Sequence, residues 1–245
     1  MIKQRKDEWL VKDNSGYHQR QFEAPYRSTE VFVQWLDEMF SSCAKKCICD
    51  LGCGGGANIA YMARKYPSIN FEGIEINEEL ISSGNKKLAD MNNAQIIKGD
   101  LYHLDSSLKN RYKGIISFQT LSWLPEYNEA IYSMAELEAD WIALSSLFYE
   151  GDIDYTIQLK NYTRATATAM YQECYYNIYS LNKVRELFAN LGYTEFKYKR
   201  FDIDVDLPKP EKAELGTYTE KLENGRRIQI SGGLMLPWYF IVACK

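Results

Sequence analysis

Ten residues, Ile48-Cys49-Asp50-Leu51-Gly52-Cys53-Gly54-Gly55-Gly56-Ala57, carry the strongest chemical signal in the chain. A short apolar run enters the stretch and an amphipathic run leaves it, so the glycines fall between a predicted strand and a predicted helix. Glycine at such a turn permits a tight bend and lets a bound group approach the backbone closely. By spacing alone the stretch also fits G-x-G-x-x-A, a dinucleotide fingerprint. Electrostatics separate the readings. Asp50 stands at the strand end, just before the glycines. A carboxylate there tends to repel a pyrophosphate and suits a ligand carrying an ammonium and a sulfonium.

At this stretch the sequence resembles class I S-adenosylmethionine (SAM)-dependent methyltransferases, whose first motif is D/E-x-G-x-G-x-G. Two further acidic stations agree. FEGIEI ends the second strand with Glu75 followed by Ile76, 25 residues after Asp50. A carboxylate here can accept both ribose hydroxyl protons, and Glu75 is expected to lie exposed to the cofactor rather than buried in the core. IIKGDL ends the third strand with Asp100 and Leu101. The resemblance implies that this place holds the adenine, whose exocyclic amine donates to the Asp side chain. The fourth strand ends FQTLSWLPE, and the resemblance implies that the Phe118-Gln119 backbone lies by the methionyl part. SAM as cofactor, with S-adenosylhomocysteine (SAH) as product, follows from the resemblance. So does a cofactor set of Asp50, Gly52, Cys53, Gly54, Glu75, Ile76, Asp100, Leu101, Phe118 and Gln119.

These stations need a sheet to hold them. From 45 to 148, strand-like runs (KKCICDLG, INFEGIEI, AQIIKGDL, KGIISFQT, DWIALSSLF) alternate with helix-like ones (GANIAYMARKY, NEELISSGNKKLADMN, EYNEAIYSMAELEA). Such alternation predicts a parallel sheet covered by helices. A helix is expected over 28–42, and another from Ser180 to a C-cap at Gly192. Two late strands read as YTEFKYKRFDIDVDL and WYFIVACK. Near Arg200 the first of them changes phase, which fits a β-bulge or a strand break. Asp202, Asp204 and Asp206 on one strand face suit a protected sheet edge. The resemblance covers 45–148 and extends loosely to these strands. It implies an α/β, Rossmann-like seven-stranded methyltransferase sheet in the order 3-2-1-4-5-7-6, with the last strand antiparallel.

The chain then divides into an N-terminal segment and helix (1–44), the SAM-binding core (45–148), a cap insertion (149–179), further core (180–207), a hairpin cap insertion (208–236) and a final core strand (237–245). Seven of the nineteen tyrosines fall in 149–179. Asn224-Gly225 marks a hairpin turn. Both insertions leave the edge where open α/β sheets bind ligands, so they are expected to form one α+β cap over the site.

The remaining candidates belong to the acceptor. Methyl transfer aligns a nucleophile about 3 Å from the methyl, and only some acceptors need a base. His18 is a candidate base or a lid histidine, and His103 a base or part of the adenine rim. Gln119 and Trp123 stand where the methyl passes; Trp123 either walls the acceptor pocket or packs on the following helix. Tyr17, Arg20 and Tyr26 either fold over the site, with Arg20 pairing the methionyl carboxylate or an acidic acceptor, or belong to a solvated N-terminal segment. Arg164, Arg226 and Arg227 suit a phosphate or carboxylate on the acceptor, or are surface arginines. Tyr162, Tyr175, Tyr176 and Tyr179 suit sugars or rings, or form the cap's own small core. Substrate contacts are expected from Tyr17, Arg20, Tyr175, Tyr176 and Arg226.

Composition bounds the rest. The 245 residues carry 29 basic against 33 acidic side chains, a net charge of −4. That balance disfavours a nucleic-acid groove, and no D/N-P-P-Y-type motif follows the fourth strand. No apolar run approaches a membrane span of ~18 residues, and MIKQRKDEWL has no apolar core of a secretory signal, so a cytoplasmic protein is expected. Cys43, Cys47, Cys49 and Cys53 follow no common zinc spacing and read as buried free thiols, with no metal. The expected activity is methyl transfer from SAM to a hydroxyl or amine of a small polar acceptor, such as a sugar, a nucleotide-linked or a phosphorylated metabolite. A protein or nucleic-acid methyltransferase and a non-catalytic SAM-binding partner subunit are the rival readings; oligomeric state is left open.

Overall fold

Apolar runs too short for helices become strands here, and the amphipathic runs between them become helices. The computed structural model describes residues 17–162, 170–211 and 215–245. It begins with α1 (Tyr17–Glu23), α2 (Arg27–Trp35) and α3 (Asp37–Ser41). Then β1 (Cys47–Leu51), α4 (Ala57–Lys65), β2 (Asn70–Glu75), α5 (Glu78–Leu88), β3 (Ala94–Lys98), β4 (Gly114–Phe118), α6 (Asn128–Glu136) and β5 (Trp141–Tyr149) alternate. The second half holds β6 (Gln158–Asn161), β7 (Gln172–Tyr175), β8 (Tyr179–Ser180), α7 (Leu181–Asn190) and β9 (Glu195–Arg200). It closes with β10 (Thr217–Lys221), β11 (Arg227–Ser231), β12 (Leu234–Met235) and β13 (Trp238–Cys244).

The main sheet runs β3-β2-β1-β4-β5-β13-β9, with the short β8 added beside β5. β13 is antiparallel to both neighbours, while the first five strands are mutually parallel. This is the expected Rossmann-like order with its reversed strand. The order turns back between β1 and β4, so a crevice opens at their carboxyl ends. Helices α2 to α5 contribute Phe32, Phe40, Ile59, Met62 and Leu88 to the core on one face of the sheet. Helices α6 and α7 contribute Ile131, Met134, Val184 and Phe188 on the other. Local signals close the helices as the sequence indicates. Ser180 Oγ accepts from Lys183 N at 3.2 Å, and Gly192 takes φ 88° after α7.

Three expectations change. The helix over 28–42 is broken at Leu36 into α2 and α3, and Asp37, opening α3, binds Lys65 and Tyr66 at the end of α4. The long strand over 193–207 ends at Arg200, so the phase change is a strand break. Its aspartates guard no sheet edge. Asp202 pairs with Arg226, Asp204 with Arg27 and Asp206 with Arg227. The extended stretch after β9 is thus fastened to α2 on one side and to the β10–β11 hairpin on the other.

β2 also buries a charge that sequence reading passes over. Glu72, 1 % exposed, accepts from Arg111, Tyr112 and Gln95. Those bonds compensate its desolvation. Packing near the glycine loop is equally tight. Gly84 in α5 lies against the loop, and a Cβ there would sit 2.5 Å from both Gly55 O and Ile96 Cδ1. Helix propensity alone would have Gly84→Ala stabilise by about 1 kcal/mol. The overlap with backbone reverses the sign, and we expect a loss of about 1–3 kcal/mol in urea unfolding.

Candidate active site

The glycine loop takes a path that side chains resist. Gly52, Gly54 and Gly56 have φ of 71°, 56° and 82°, in the left-handed region that glycine enters without penalty. Gly52 N and Cys53 N both donate to Ile74 O, at 2.9 and 3.3 Å, which ties the loop to β2. On its other side the loop meets the segment after β4. A Cβ on Gly52 would lie 2.8 Å from Thr120 Oγ1. The buried Cys53 thiol rests over Gly73 of β2, where any Cβ would overlap it.

Glu75 ends β2 as a bracket. Its Oε2 accepts from Gly54 N at 2.9 Å, and its Oε1 accepts from Ile76 N and Asn77 N, each at 2.9 Å. It is 7 % exposed, so the expectation of an exposed carboxylate is corrected: it is buried and holds the loop. Charge-assisted bonds from three N–H groups make that burial tolerable. Asn77 then caps α5, its Oδ1 accepting from Glu79 N and Leu80 N. Ile76 is half-buried at the turn.

Asp50 has the opposite environment. It is 1 % exposed, and neither carboxyl oxygen meets a donor among the described residues. Burial, and then the neighbouring Glu75 charge, push its pKa well above the usual carboxylate range. The buried thiols Cys49 and Cys53 are pushed up in turn, first by burial and then by Asp50. An orphaned carboxyl beside the glycine turn is what a cationic ligand would satisfy. The residues therefore fit SAM: Asp50 toward its charged end, and Glu75 and Asp100 toward its hydroxyl and amine donors.

Asp100 follows β3, and its Oδ1 accepts from Tyr102 N at 3.0 Å. His103 Nδ1 lies 3.5 Å from Asp100 Oδ2 and is 80 % exposed at the side chain. Leu101 is half-buried against the core. At the end of β4, Phe118 packs edge-on to Phe32 at 5.3 Å. Gln119 follows with φ 56°, its N donating to Ser145 O at 2.7 Å and its Nε2 to Ser28 Oγ at 3.1 Å. Trp123 stacks on Tyr176, with ring centroids 4.5 Å apart.

The other candidates scatter. Tyr17 and His18 lie in α1, with side chains outside the described set, and Arg164 lies outside the described residues altogether. Arg20 is exposed in the last turn of α1. Arg226 and Arg227 are taken up by Asp202 and Asp206. Tyr176 and Tyr179 are buried, Tyr175 is half-buried and Tyr162 is exposed. Tyr179 donates to Leu124 O at 2.7 Å. Sequence reading missed Ser28, Thr29 and Asn177, because common polar residues carry no motif. Asn177 N donates to Ser122 O, and its side chain to Leu124 O, pinning the chain after β7 to the segment after β4.

The six cysteines are unpaired thiols. Among the described residues, no His/Cys/Asp/Glu group could hold a metal, and no helix is long and apolar enough to cross a membrane.

Asp50→Asn should separate function from stability. An aspartate ionises near pH 3.9 when unfolded, whereas the folded carboxyl keeps its proton to higher pH. Its contribution to stability is therefore full below the unfolded value and is lost as pH rises through the folded one. Without cofactor, Asp50→Asn should gain roughly 1–3 kcal/mol at neutral pH, and the gain should shrink toward pH 4. The same variant should weaken SAM binding about tenfold or more. Thermal unfolding across pH and calorimetry with SAM check both signs.

Comparison with known proteins agrees with this geometry. Residues 48–138 match a family model described as a methyltransferase domain. The YcgJ protein of Bacillus subtilis superposes with a TM-score of 0.57 at 12% identity, covering 86% of this chain and 97% of its own. Magnesium protoporphyrin IX methyltransferase of Synechocystis PCC 6803, solved with bound SAH, gives 0.54 at 17%, covering 98% and 94%. The methyltransferase domain of bacterial CtHen1 gives 0.53 at 12%, covering 89% and 98%. At such identities the likeness is one of fold. A search of curated proteins finds no match. The family match falls on the loop and the three acidic stations just described, and residues 48–138 are a methyltransferase domain.

Proposed function

We propose that this methyltransferase acts on a hydroxyl or amine of a small polar acceptor, held under a cap built from the connections after β5 and β9. The observation that carries the reading is the meeting of these connections at the segment after β4. Tyr176, after β7, stacks on Trp123; burial pushes its phenol up in pKa, and the nearby Thr217 side chain of β10 pulls it partly back. Leu159, Ile178, Leu207 and Leu234 pack against the same core cluster as Phe118 and Trp123. Excursions from the carboxyl edge of a parallel sheet usually shape substrate access. A mouth roofed by two such segments suits a compact acceptor better than a duplex or a folded protein surface.

When bound, SAM supplies an electrophilic methyl group on its sulfonium, open to in-line displacement. Glu75 and Asp100 orient the nucleoside end, and Asp50 balances positive charge. Trp123 and Tyr176 keep water from the transfer and give the acceptor a flat wall. The reading needs no metal. A sugar ring suits the aromatic wall.

Incubating the protein with SAM and pools of polar metabolites, followed by mass spectrometry, should reveal a product heavier by one methyl. Trp123→Ala should leave SAM affinity within about twofold and cut transfer to that product by roughly 10- to 100-fold. Methylation only of added proteins or RNA would replace the small-acceptor reading.

A further inference from the structure

The N-terminal helix α2 reaches both banks of the crevice with consecutive side chains. Ser28 and Thr29 are 7 % and 4 % exposed. Thr29 Oγ1 donates to Asn58 Oδ1 at 3.0 Å, and Asn58 is the second residue of α4, directly after the glycine loop. Ser28 Oγ accepts from Gln119 Nε2 at 3.1 Å, and Gln119 directly follows β4. One turn later Phe32 packs edge-on to Phe118. Outside, Arg27 binds both carboxylate oxygens of Asp204, at 2.8 and 2.7 Å. Four points along one helical stretch thus fix α2 across the gap between β1 and β4.

Gln119 is held with unusual care for a polar loop residue. Its backbone sits at φ 56°, a strained position for a non-glycine residue, and such strain persists only where the surroundings enforce it. Its main-chain N–H is committed to β5 through Ser145. Its amide group is committed to α2 through Ser28. A carboxamide whose NH2 is engaged presents its oxygen as an acceptor.

We propose that Ser28 is a positioning residue for the cofactor: its hydroxyl takes the Gln119 amide and thereby turns Gln119 Oε1 into an acceptor for the ammonium of the cofactor's amino-acid part. This rests on the SAM reading of the crevice. The proposal makes α2 part of the binding site, although it precedes every cofactor motif in the sequence.

Calorimetry with two probes tests it. SAH carries the ammonium, and 5′-methylthioadenosine lacks the whole amino-acid part. Ser28→Ala should weaken SAH binding by about 3- to 10-fold, the worth of one neutral hydrogen bond, and leave 5′-methylthioadenosine binding unchanged. Gln119→Ala should weaken SAH more, and adding Ser28→Ala to it should cost nothing further. Gln119→Glu replaces the donating NH2 by a second acceptor oxygen, to which the Ser28 hydroxyl can donate in turn, so Oε1 stays an acceptor and SAH affinity should be retained. Equal weakening of both probes by Ser28→Ala, additive losses in the double variant, or an SAH affinity indifferent to Ser28 would each overturn the proposal. If the wild-type protein binds neither probe, the SAM reading itself fails, which is a separate outcome.

Discussion

The carboxylate of Glu75 is the fastening on which the crevice depends. Three backbone N–H groups converge on it, one from the glycine loop and two from the turn into α5. A loop with three left-handed glycines has little intrinsic preference for one path, because glycine loses more freedom on ordering than any other residue. The loop is kept in place by contacts from outside: Glu75 and Ile74 O on the β2 side, Thr120 on the β4 side and Gly84 from α5. Each contact requires either a small residue or a fixed acceptor. The same carboxylate that can meet the ribose is therefore first a structural part of the loop.

Asp50 shows the cost of building such a site ahead of its ligand. One strand position away from the loop, a carboxyl is buried with no donor among the described residues, next to the Glu75 charge. A fold selected for stability alone would place an apolar residue there. A buried carboxyl without a donor costs the fold stability, and a cationic ligand that bound only the folded state would offset that cost by mass action. Glu72, three residues before Glu75, marks the contrast. It is equally buried, but Arg111, Tyr112 and Gln95 satisfy it, so it belongs to the framework rather than to the site.

The segment after β4 is where distant parts of the chain meet. Ser28 arrives from α2, Ser145 from β5, and Tyr176 and Asn177 from the connection after β7. Gln119 and Trp123 are positioned by all of these together. Substitutions in those segments can therefore shift Gln119 and Trp123 while Glu75 and Asp100, at the ends of β2 and β3, stay in place.

By itself the sequence determined what is local. Strand–helix alternation, the Ser180 and Gly192 helix ends, the glycine turn and the acidic strand ends can all be read within a few residues, because period, capping and φ preference act over that range. The strand order and the methyltransferase core were legible through the motif at Asp50 to Gly56. Tertiary structure alone decided what joins residues far apart in the chain. Gln119 meets Ser28 across 91 positions and Asp204 meets Arg27 across 177. The acidic ladder at Asp202, Asp204 and Asp206 has the alternation of an edge strand, yet it leaves the sheet: Phe201 and Ile203 pack into the core, and arginines from α2 and the hairpin meet its charges. Glu75 was legible as an acidic strand end but not as a buried bracket, since its main-chain partners carry no side-chain signal. Hydrogen bonds of that kind depend on where the backbone passes in space, and packing settles that only when the whole sheet has formed.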